Sequence, residues 1–282
     1  MEVLAKEIIR KAKMQLKEAG VPDFDWDCRI LAEHFLHIKR DTLLLYPDFC
    51  VDEEVAGTFL DAVEKRCQRV PVQHLTGVQE FMGMEFCVNS NVLIPRQDTE
   101  ILVETVLNKM ENTSEQRVLD LCTGSGCIAI SIDRLASHAV VFASDISAEA
   151  LKVAKKNNEK NHGNVTFVES DLFRNIEGKF DVIVSNPPYI RTDEIEELME
   201  EVKVYDPRIA LDGLEDGLWF YKQITAQAKD YLTSEGKIFF EIGFDQGEEV
   251  KGLLQENGFT EVEILKDLAG LDRVVYGGKI NV

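Results

Sequence analysis

From residue 96 onward, short apolar runs alternate with stretches of helical periodicity, and this alternation leaves the chain few possible architectures. The apolar runs predict strands near 117–121, 140–144, 165–168, 180–185, 237–242, 260–265 and 273–277. The helical stretches fall between most of them, at 126–136, 147–159, 217–233 and 246–257. This order is typical of an α/β domain with a mostly parallel sheet and helices on both faces. The last two strands have a short connection, so we expect one of them to run antiparallel.

The first part of the chain follows a different pattern. Residues 1–74 carry apolar side chains at helical spacing, which predicts a small all-α domain. Between 75 and 95 the periodicity changes, and two short extended pieces around Gly83 predict a β-hairpin linker. We therefore expect a helical domain at 1–74, a linker at 75–95 and an α/β domain at 96–282.

Composition argues against several classes of protein. Hydrophobic residues make up 45% of the chain and charged residues 29%, which is typical of a globular protein in water. No apolar run approaches the roughly 18 residues of a membrane span, and the first residues lack the plan of a signal peptide, so we expect a cytoplasmic protein that binds no membrane. The net charge of -20, without a basic stripe, argues against stable binding of nucleic acid. The cysteines lack metal-ligand spacing, so we expect reduced thiols and no metal site.

A strand, a glycine turn and the start of a helix follow one another at residues 118–129. The turn itself is Cys122-Thr123-Gly124-Ser125-Gly126. Glycines allow close backbone approach, and ligands of open parallel sheets bind at the carboxyl ends of the strands. The next strand ends at Asp145, about 20 residues beyond the turn, where a carboxylate can accept hydrogen bonds from two ribose hydroxyls. The pattern predicts a cofactor that contains a nucleoside.

Two kinds of cofactor are compatible with this turn. Gly124, Gly126 and Ala129 also satisfy the loose dinucleotide fingerprint, in which a helix N-terminus faces a pyrophosphate. Asp120, just before the turn, would repel a pyrophosphate but suits the cationic amino-acid tail of S-adenosylmethionine. Asp171, after the third strand, could accept a hydrogen bond from the exocyclic amine of adenine. These residues favour S-adenosylmethionine and leave a dinucleotide as the alternative.

The most informative motif is Asn186-Pro187-Pro188-Tyr189, directly behind the predicted strand at 180–185. Two consecutive prolines fix φ and supply no N–H, so the carbonyls here stay outside any helix or ladder. The Asn186 amide and the Pro187 carbonyl make a fork of acceptors that suits an NH2 group on a planar substrate. The ring of Tyr189 can stack on that plane. Alone, the motif is also compatible with an ordinary turn that ends a strand.

Together with other motifs, this one makes the chain similar to the HemK/PrmC family of class I methyltransferases. The similarity extends over nearly the whole chain. Its further motifs are Gly77-Val78-Gln79-Glu80-Phe81, Ile94-Pro95-Arg96-Gln97-Asp98-Thr99-Glu100, Asp206-Pro207-Arg208-Ile209-Ala210-Leu211, Asp216-Gly217-Leu218, and Glu241-Ile242-Gly243 with Gln246-Gly247. Asn-Pro-Pro-Tyr is shared with adenine-N6 methyltransferases of DNA and some rRNA methyltransferases, but the other motifs narrow the resemblance to this family.

The resemblance implies a fold and an activity. The fold is a Rossmann-like class I methyltransferase with a mostly parallel, seven-stranded sheet, preceded by the helical domain and the hairpin. The methyl donor is S-adenosylmethionine, which leaves S-adenosylhomocysteine as product. The substrate is the glutamine in the Gly-Gly-Gln loop of a peptide chain release factor, methylated on the side-chain nitrogen N5. The helical domain would help to recognise the release factor, and we expect a monomer.

The resemblance also implies the site residues. Catalysis would involve Asn186, Pro187 and Tyr189, and the same turn with Pro188, Phe81 and Arg96 would bind the substrate. Cofactor binding would involve Asp120, Cys122, Thr123, Gly124, Ser125, Gly126, Asp145, Ile146, Asp171, Leu172 and Asn186. The chain departs from the family pattern at Cys122, Gln97, Asp206 and Leu172, where the family commonly has glycine, proline, glutamate and an aromatic residue.

Three other functions use parts of the same pattern. An adenine-N6 methyltransferase acting on RNA or DNA would hold the exocyclic amine of adenine with the same fork. An NAD-dependent oxidoreductase would use the glycine turn, and a non-catalytic ribosome-associated module would bind the cofactor without transferring a methyl group.

Overall fold

The computed structural model describes residues 2–39, 41–110 and 115–280. The chain forms two compact units. The first unit is Met1–Val78 together with Met199–Tyr205, and the second is Gln79–Leu198 together with Asp206–Val282. A short segment from late in the chain therefore belongs to the first unit.

Helices make up most of the first unit, as the apolar spacing predicts. Its elements up to residue 76 are β1 (Glu2–Leu4), α1 (Ala5–Glu18), α2 (Phe24–Leu36), α3 (Thr42–Leu45), β2 (Cys50–Asp52), α4 (Glu53–Cys67) and α5 (Val72–Thr76). The expectation of helices alone was wrong for β1 and β2, which pair antiparallel with Val3 opposite Val51. Strands of three residues are too short for a period of two to stand out in the sequence.

The core of the first unit forms where helical stripes meet. Leu16 of α1, Leu31 of α2 and Phe59 of α4 are all fully buried in one cluster. A buried ion pair lies beside it, in which Arg66 Nε donates to Asp27 Oδ2 at 2.7 Å. Arg66 also donates to Glu201 Oε1 at 3.1 Å, so the late segment is held within this unit by a charge-assisted hydrogen bond.

The second unit contains the predicted alternation of strands and helices. After the hairpin of β3 (Val78–Phe81) and β4 (Met84–Cys87), its elements are α6 (Asp98–Lys109), β5 (Gln116–Leu121), α7 (Cys127–Leu135), β6 (Ala139–Asp145), α8 (Ala148–Lys160), β7 (Thr166–Glu169) and β8 (Phe180–Ser185). A 3-10 turn at Ile195–Glu197 and α9 (Glu200–Lys203) follow, the latter in the first unit. The chain continues with α10 (Arg208–Leu211), α11 (Trp219–Ala228), β9 (Leu232–Glu241), α12 (Gly247–Glu256), β10 (Phe259–Lys266) and β11 (Asp272–Ile280).

The strands form a seven-stranded sheet in the order β10-β11-β9-β8-β5-β6-β7. The pairs of β5 with β6 and β8, of β6 with β7 and of β8 with β9 are parallel. β11 runs antiparallel to both of its neighbours, which confirms the expectation for the last two strands. Buried residues pack on both faces of the sheet, because β5 contributes Val118 to one apolar cluster and Leu119 to another.

One predicted boundary was wrong. The helix predicted at 217–233 ends at Ala228, and β9 begins at Leu232 instead of near 237. Leu232 pairs with Phe180, and the register then shifts so that Lys237 lies opposite Val182. The extra residues form an irregularity of the strand, which the polar letters Thr-Ser-Glu-Gly do not reveal.

The described residues were compared with the structural requirements for a membrane span and for a metal site. None of their helices has the length and apolar character that a membrane crossing requires. Within the same ranges, no cluster of three or more His, Cys, Asp or Glu side chains is arranged to hold a metal ion. All six cysteines are free, but only Cys28 and Cys127 are buried.

Candidate active site

The middle of the sheet brings three chain segments together at one edge. β8 pairs in parallel with β5 and β9, so that Ser185 lies between Leu121 and Phe240. Ser185 Oγ also donates to the Leu121 carbonyl at 2.8 Å. The residues that follow these strands therefore leave the sheet next to one another at its carboxyl edge, where open α/β sheets bind their ligands.

The turn after β5 has a backbone that depends on its glycines. Gly124 has φ +54° and Gly126 has φ +81°, in the left-handed region that favours glycine. A Cβ on Gly126 would lie 3.0 Å from Ile130 Cδ1 and 3.1 Å from the Cβ of Ala154, so this glycine also allows α7 and α8 to approach each other. Cys122 has φ 60° although it carries a side chain, which is a locally strained conformation.

Asp145, at the end of β6, holds the same turn. Its Oδ2 accepts from the backbone N–H of Gly124 at 2.8 Å, and its Oδ1 accepts from the N–H of Ser147 at 2.9 Å. Burial raises the pKa of this carboxyl, and the backbone hydrogen bonds act against that effect. An ionised carboxylate has about four acceptor positions, so Asp145 retains capacity to accept from a ligand hydroxyl.

Asp120 lies behind the turn and is fully buried. Its Oδ2 accepts from the Thr123 hydroxyl at 2.6 Å, whereas Oδ1 has no hydrogen-bond partner among the described residues. Burial raises the pKa of Asp120 to about 7, against the hydrogen bonds from Thr123 and the Ala129 N–H. A nearby cation would favour the ionised form of this carboxyl.

The segment after β7 carries a second strained residue. Leu172 has φ 48°, and Ser170 Oγ donates to the Leu172 carbonyl at 2.7 Å. The Ser170 N–H donates to the Asp145 carbonyl at 3.0 Å, which fixes this segment to the end of β6. Asp171, between the two, is exposed.

The Asn186-Pro187-Pro188-Tyr189 turn begins directly after β8. Asn186 is half-buried and both prolines are buried. Within the described part of the chain, the Pro187 carbonyl accepts no backbone hydrogen bond. Beyond the turn, the Ile190 N–H donates to the Leu211 carbonyl at 3.0 Å, which joins this segment to the end of α10.

A cavity of about 340 Å³ connects these segments within the second unit, and its volume is within the range of small-molecule sites. The predicted residues on its wall are Arg96, Cys122, Thr123, Gly124, Ser125, Asp145, Ile146, Asp171, Leu172, Asn186 and Pro188. The charged side chains on the wall are Asp145, Asp171 and Arg96. Arg96 is paired with Asp206, whose Oδ2 accepts from it at 2.6 Å. Two carboxylates and one neutralised cation make the wall suitable for a cationic ligand and unsuitable for a pyrophosphate.

The remaining predicted residues lie off the cavity wall. Phe81 is fully buried in the core, where its ring meets the Phe86 ring edge to face. Gly126 is the N-cap of α7, Asp120 lies behind the turn, and Pro187 and Tyr189 directly precede and follow the wall residue Pro188. Tyr189 instead packs against the apolar cluster on one face of the sheet.

Other parts of the wall come from residues that were not predicted to belong to the site. They include Val92, Leu93, Pro95, Pro207, Ile209, Ala210, Leu214, Trp219 and Phe220. These residues lie in loops or at helix ends, and their place on the wall does not follow from periodicity. The Pro95-Arg96 and Asp206-Pro207 motifs were recognisable in the sequence, and they were the signal that could have identified these two segments as parts of the site. In the structure, Arg96 and Asp206 of these motifs form an ion pair.

Glu241 is a further residue that was not predicted to belong to the site. It ends β9, is 2% exposed, and its Oε2 has no hydrogen-bond partner among the described residues. Burial raises the pKa of Glu241 to about 7, and hydrogen bonds from Thr99 and from the Asn186 amide lower it in part. A glutamate directly after the apolar run Ile238-Phe239-Phe240 was the signal that could have identified it.

The fold and the cavity together define an α/β methyltransferase with its site at the carboxyl edge of the sheet. Residues 96–206 match the family model of the methyltransferase small domain, and residues 7–77 match that of the PrmC N-terminal domain. A methyltransferase from Pyrococcus furiosus has the same fold, with a TM-score of 0.53 at 19% identity, over 71% of this chain and 90% of that one.

Similarity to two relatives narrows the class of α/β methyltransferases to one family. The release factor glutamine methyltransferase of Clostridium acetobutylicum is 42% identical over 96% of both chains. That of Clostridium botulinum is 38% identical over 98% of this chain and 100% of its own. The chain belongs to the release factor glutamine methyltransferase family.

Proposed function

We propose that the protein transfers a methyl group from S-adenosylmethionine to the side-chain nitrogen N5 of the glutamine in the Gly-Gly-Gln motif of a peptide chain release factor. Family membership over nearly the whole chain supports the reaction class. The structural observation that carries the proposal is the position of Asn186. It lines the cavity beside the turn after β5, and the next residue is Pro187, whose carbonyl accepts no backbone hydrogen bond from the residues that the structure describes.

The residues of the cavity fit the proposed methyl donor. S-adenosylmethionine, when bound, supplies an electrophilic methyl group on a positively charged sulfur. Asp145 and Asp171 are suited to its ribose hydroxyls and adenine amine, since carboxylates accept such hydrogen bonds. The buried Oδ1 of Asp120, which has no partner among the described residues, provides negative charge near the turn for the cationic tail.

The chain's own contribution to the chemistry is positioning and electrostatics. An amide nitrogen is a weak nucleophile because its lone pair is delocalised into the carbonyl. If Asn186 Oδ1 and the Pro187 carbonyl each accept one amide hydrogen, they orient the nitrogen and favour positive charge on it in the transition state. A side-chain hydrogen bond with Asn186 is one of the effects that lower the pKa of Glu241, and an amide that donates from Nδ2 keeps Oδ1 available as an acceptor.

Two parts of the proposal concern the whole protein. The helical unit helps to recognise the release factor, and the protein acts as a monomer. The net charge of -20 disfavours RNA or DNA as the substrate, although the same acceptor fork could hold an adenine amine.

Mass measurement of a release factor before and after incubation with enzyme and S-adenosylmethionine tests the proposal. We expect the gain of one methyl group on the Gly-Gly-Gln peptide, and no gain when that glutamine is replaced. Parallel incubations with RNA and DNA test the alternative substrate. Methylation of nucleic acid without methylation of the release factor would overturn the proposal.

Substitution of Asn186 tests the role of the fork. In Asn186→Ala we expect transfer to fall by at least about 100-fold, because a preorganised acceptor is lost. Calorimetric cofactor affinity should stay within about twofold, because the carboxylates remain. The exposed Asn164 offers a matched control, and Asn164→Ala should behave as wild type. Retained turnover in Asn186→Ala would contradict the assigned role.

A further inference from the structure

Gln246 connects three loops at the carboxyl edge of the sheet. It directly precedes α12, but its side chain does not cap that helix. Its Oε1 accepts from the Gly243 N–H at 3.0 Å, in the loop after β9. Its Nε2 donates to the Tyr189 carbonyl at 3.0 Å and to the Gly217 carbonyl at 3.3 Å. The orientation of the amide follows from its partners, because one is a donor and two are acceptors.

The Tyr189 carbonyl is closely surrounded at this point. A Cβ on Gly217 would lie 2.5 Å from the Tyr189 oxygen and 2.8 Å from Gln246 Nε2. A Cβ on Gly213 would lie 2.8 Å from the Tyr189 backbone. Both glycines therefore stand where a side chain would displace the end of the Asn-Pro-Pro-Tyr turn or the glutamine that holds it.

The hydrogen bond from Gln246 to the Tyr189 carbonyl restrains the acceptor fork, because the backbone between Tyr189 and Asn186 has little conformational freedom. Tyr189 is three residues from Asn186, and the two prolines between them have fixed φ. A hydrogen bond that holds the Tyr189 carbonyl thus limits the directions in which the Pro187 carbonyl and the Asn186 side chain can point. Gln246 itself is not part of the cavity wall, so it does not contact a ligand there.

We propose that Gln246 is a positioning residue for methyl transfer, which fixes the Asn186-Pro187 acceptor fork by donating a hydrogen bond to the Tyr189 carbonyl. This proposal rests on the proposed function, because the fork is given its role there. The essential group is the donor Nε2. The acceptor Oε1 fixes the orientation of the side-chain amide through its hydrogen bond with the Gly243 N–H in the loop after β9.

The variant Gln246→Glu isolates that donor. It retains the shape and the acceptor for the Gly243 N–H, but places a carboxylate oxygen against two carbonyls. We expect kcat at pH 8 to fall by about 10- to 100-fold, the size of effect typical of residues that orient a reacting group. Cofactor affinity should stay within about twofold. The two carbonyls that Nε2 contacts disfavour a carboxylate and raise the pKa of the introduced carboxyl. As the pH is lowered to 6, partial protonation therefore restores a donor, so the ratio of variant to wild-type kcat should rise.

Two further variants complete the test. Gln246→Met has a similar size and no donor at any pH, so its kcat should be low throughout the same range. Gln255 is exposed on α12, and Gln255→Glu should match wild type. The proposal is overturned if Gln246→Glu keeps wild-type kcat at pH 8, if its loss is the same at every pH, or if the loss arises from weaker cofactor binding.

A measurement without substrate separates this proposal from the proposed function. Hydrogen exchange of peptides spanning residues 185–192 should be faster in Gln246→Glu than in wild type, and unchanged in Gln255→Glu. An inactive wild-type enzyme would refute the proposed function and leave this measurement decisive for the positioning role. Unchanged exchange in Gln246→Glu would overturn that role whatever the activity.

Discussion

At the scale of single residues, the site combines a neutral amide with a buried acid. Asn186 lines the cavity, and a hydrogen bond with its side chain is one of the effects that lower the pKa of Glu241, which is 2% exposed. Burying a carboxylate is unfavourable unless hydrogen bonds or charges compensate, and here Thr99 and Arg273 also contribute. The protonation state of Glu241 therefore influences how firmly the Asn186 amide is oriented.

We expect kcat to depend on that protonation state. Burial raises the pKa of Glu241 to about 7, so the carboxyl is largely neutral at pH 6 and ionised at pH 8. The ionised form accepts more strongly from the Asn186 amide and favours positive charge on the substrate nitrogen. With saturating cofactor, kcat should rise through an apparent pKa near 7 in wild type. In Glu241→Gln it should be roughly tenfold lower at pH 8 and flat with pH.

The exposed Glu235 on the same strand provides the control, since Glu235→Gln should keep the wild-type pH profile. Because the site also contains Asp120, cofactor affinity is measured separately at each pH. A rise in kcat that persists unchanged in Glu241→Gln would show that another group titrates.

At the scale of elements, the turn after β5 and the contact between α7 and α8 depend on the same residue. Gly126 serves both, through its φ of +81° and through the 3.1 Å that would separate its Cβ from that of Ala154. Gly124 shares the left-handed backbone, but a Cβ there would meet nothing within 4 Å. The two glycines therefore differ in packing and resemble each other in backbone conformation.

Alanine at these two positions separates strain from packing. Gly126→Ala should lower the free energy of unfolding by about 2–4 kcal/mol, because backbone strain and overpacking between α7 and α8 add. Gly124→Ala should cost only about 1 kcal/mol from backbone strain, but it should weaken cofactor binding, since Gly124 lines the cavity. Urea unfolding of both variants measures the difference. Equal destabilisation would show that helix contact is not what requires Gly126.

The sequence predicts helices and strands correctly where the periodic pattern is long. It does not predict boundaries that are set by tertiary contacts. The strand at 180–185 and the helices near 126–136 and 147–159 were predicted within a residue or two of their ends. The start of β9 was missed because Leu232 becomes strand only by pairing with Phe180. The local sequence around Leu232 does not indicate that it pairs with Phe180.

For the site, motif spacing predicts what lies at the ends of strands. Asp145, Asp171 and Asn186 reach the cavity wall because parallel strands end at one edge. Trp219 and Ile209 reach it through loops whose paths depend on tertiary contacts, such as the ion pair of Arg96 with Asp206. Their places on the wall could not be derived from spacing.

At the scale of the whole molecule, function imposes a cost on stability. The second unit buries Asp120 and Glu241, and burial raises the pKa of each to about 7. The folded protein therefore holds protons on these groups over a pH range in which the unfolded chain releases them. In that range stability falls as the pH rises.

We expect this cost to be measurable for Asp120. Its folded pKa of about 7 lies above the usual value of 3.8, so its contribution to stability is full below pH 4 and is lost as the pH rises to about 7. Asp120→Asn stays neutral and avoids the loss. In urea unfolding without cofactor, the variant should exceed wild type by only about 1–2 kcal/mol at pH 5 and by about 4 kcal/mol at pH 7.5. Asp230 is exposed, and Asp230→Asn should show no such difference. If Asp120→Asn were less stable than wild type at both pH values, the buried carboxyl would be stabilising in its charged form, and a compensating partner would have to exist within the protein.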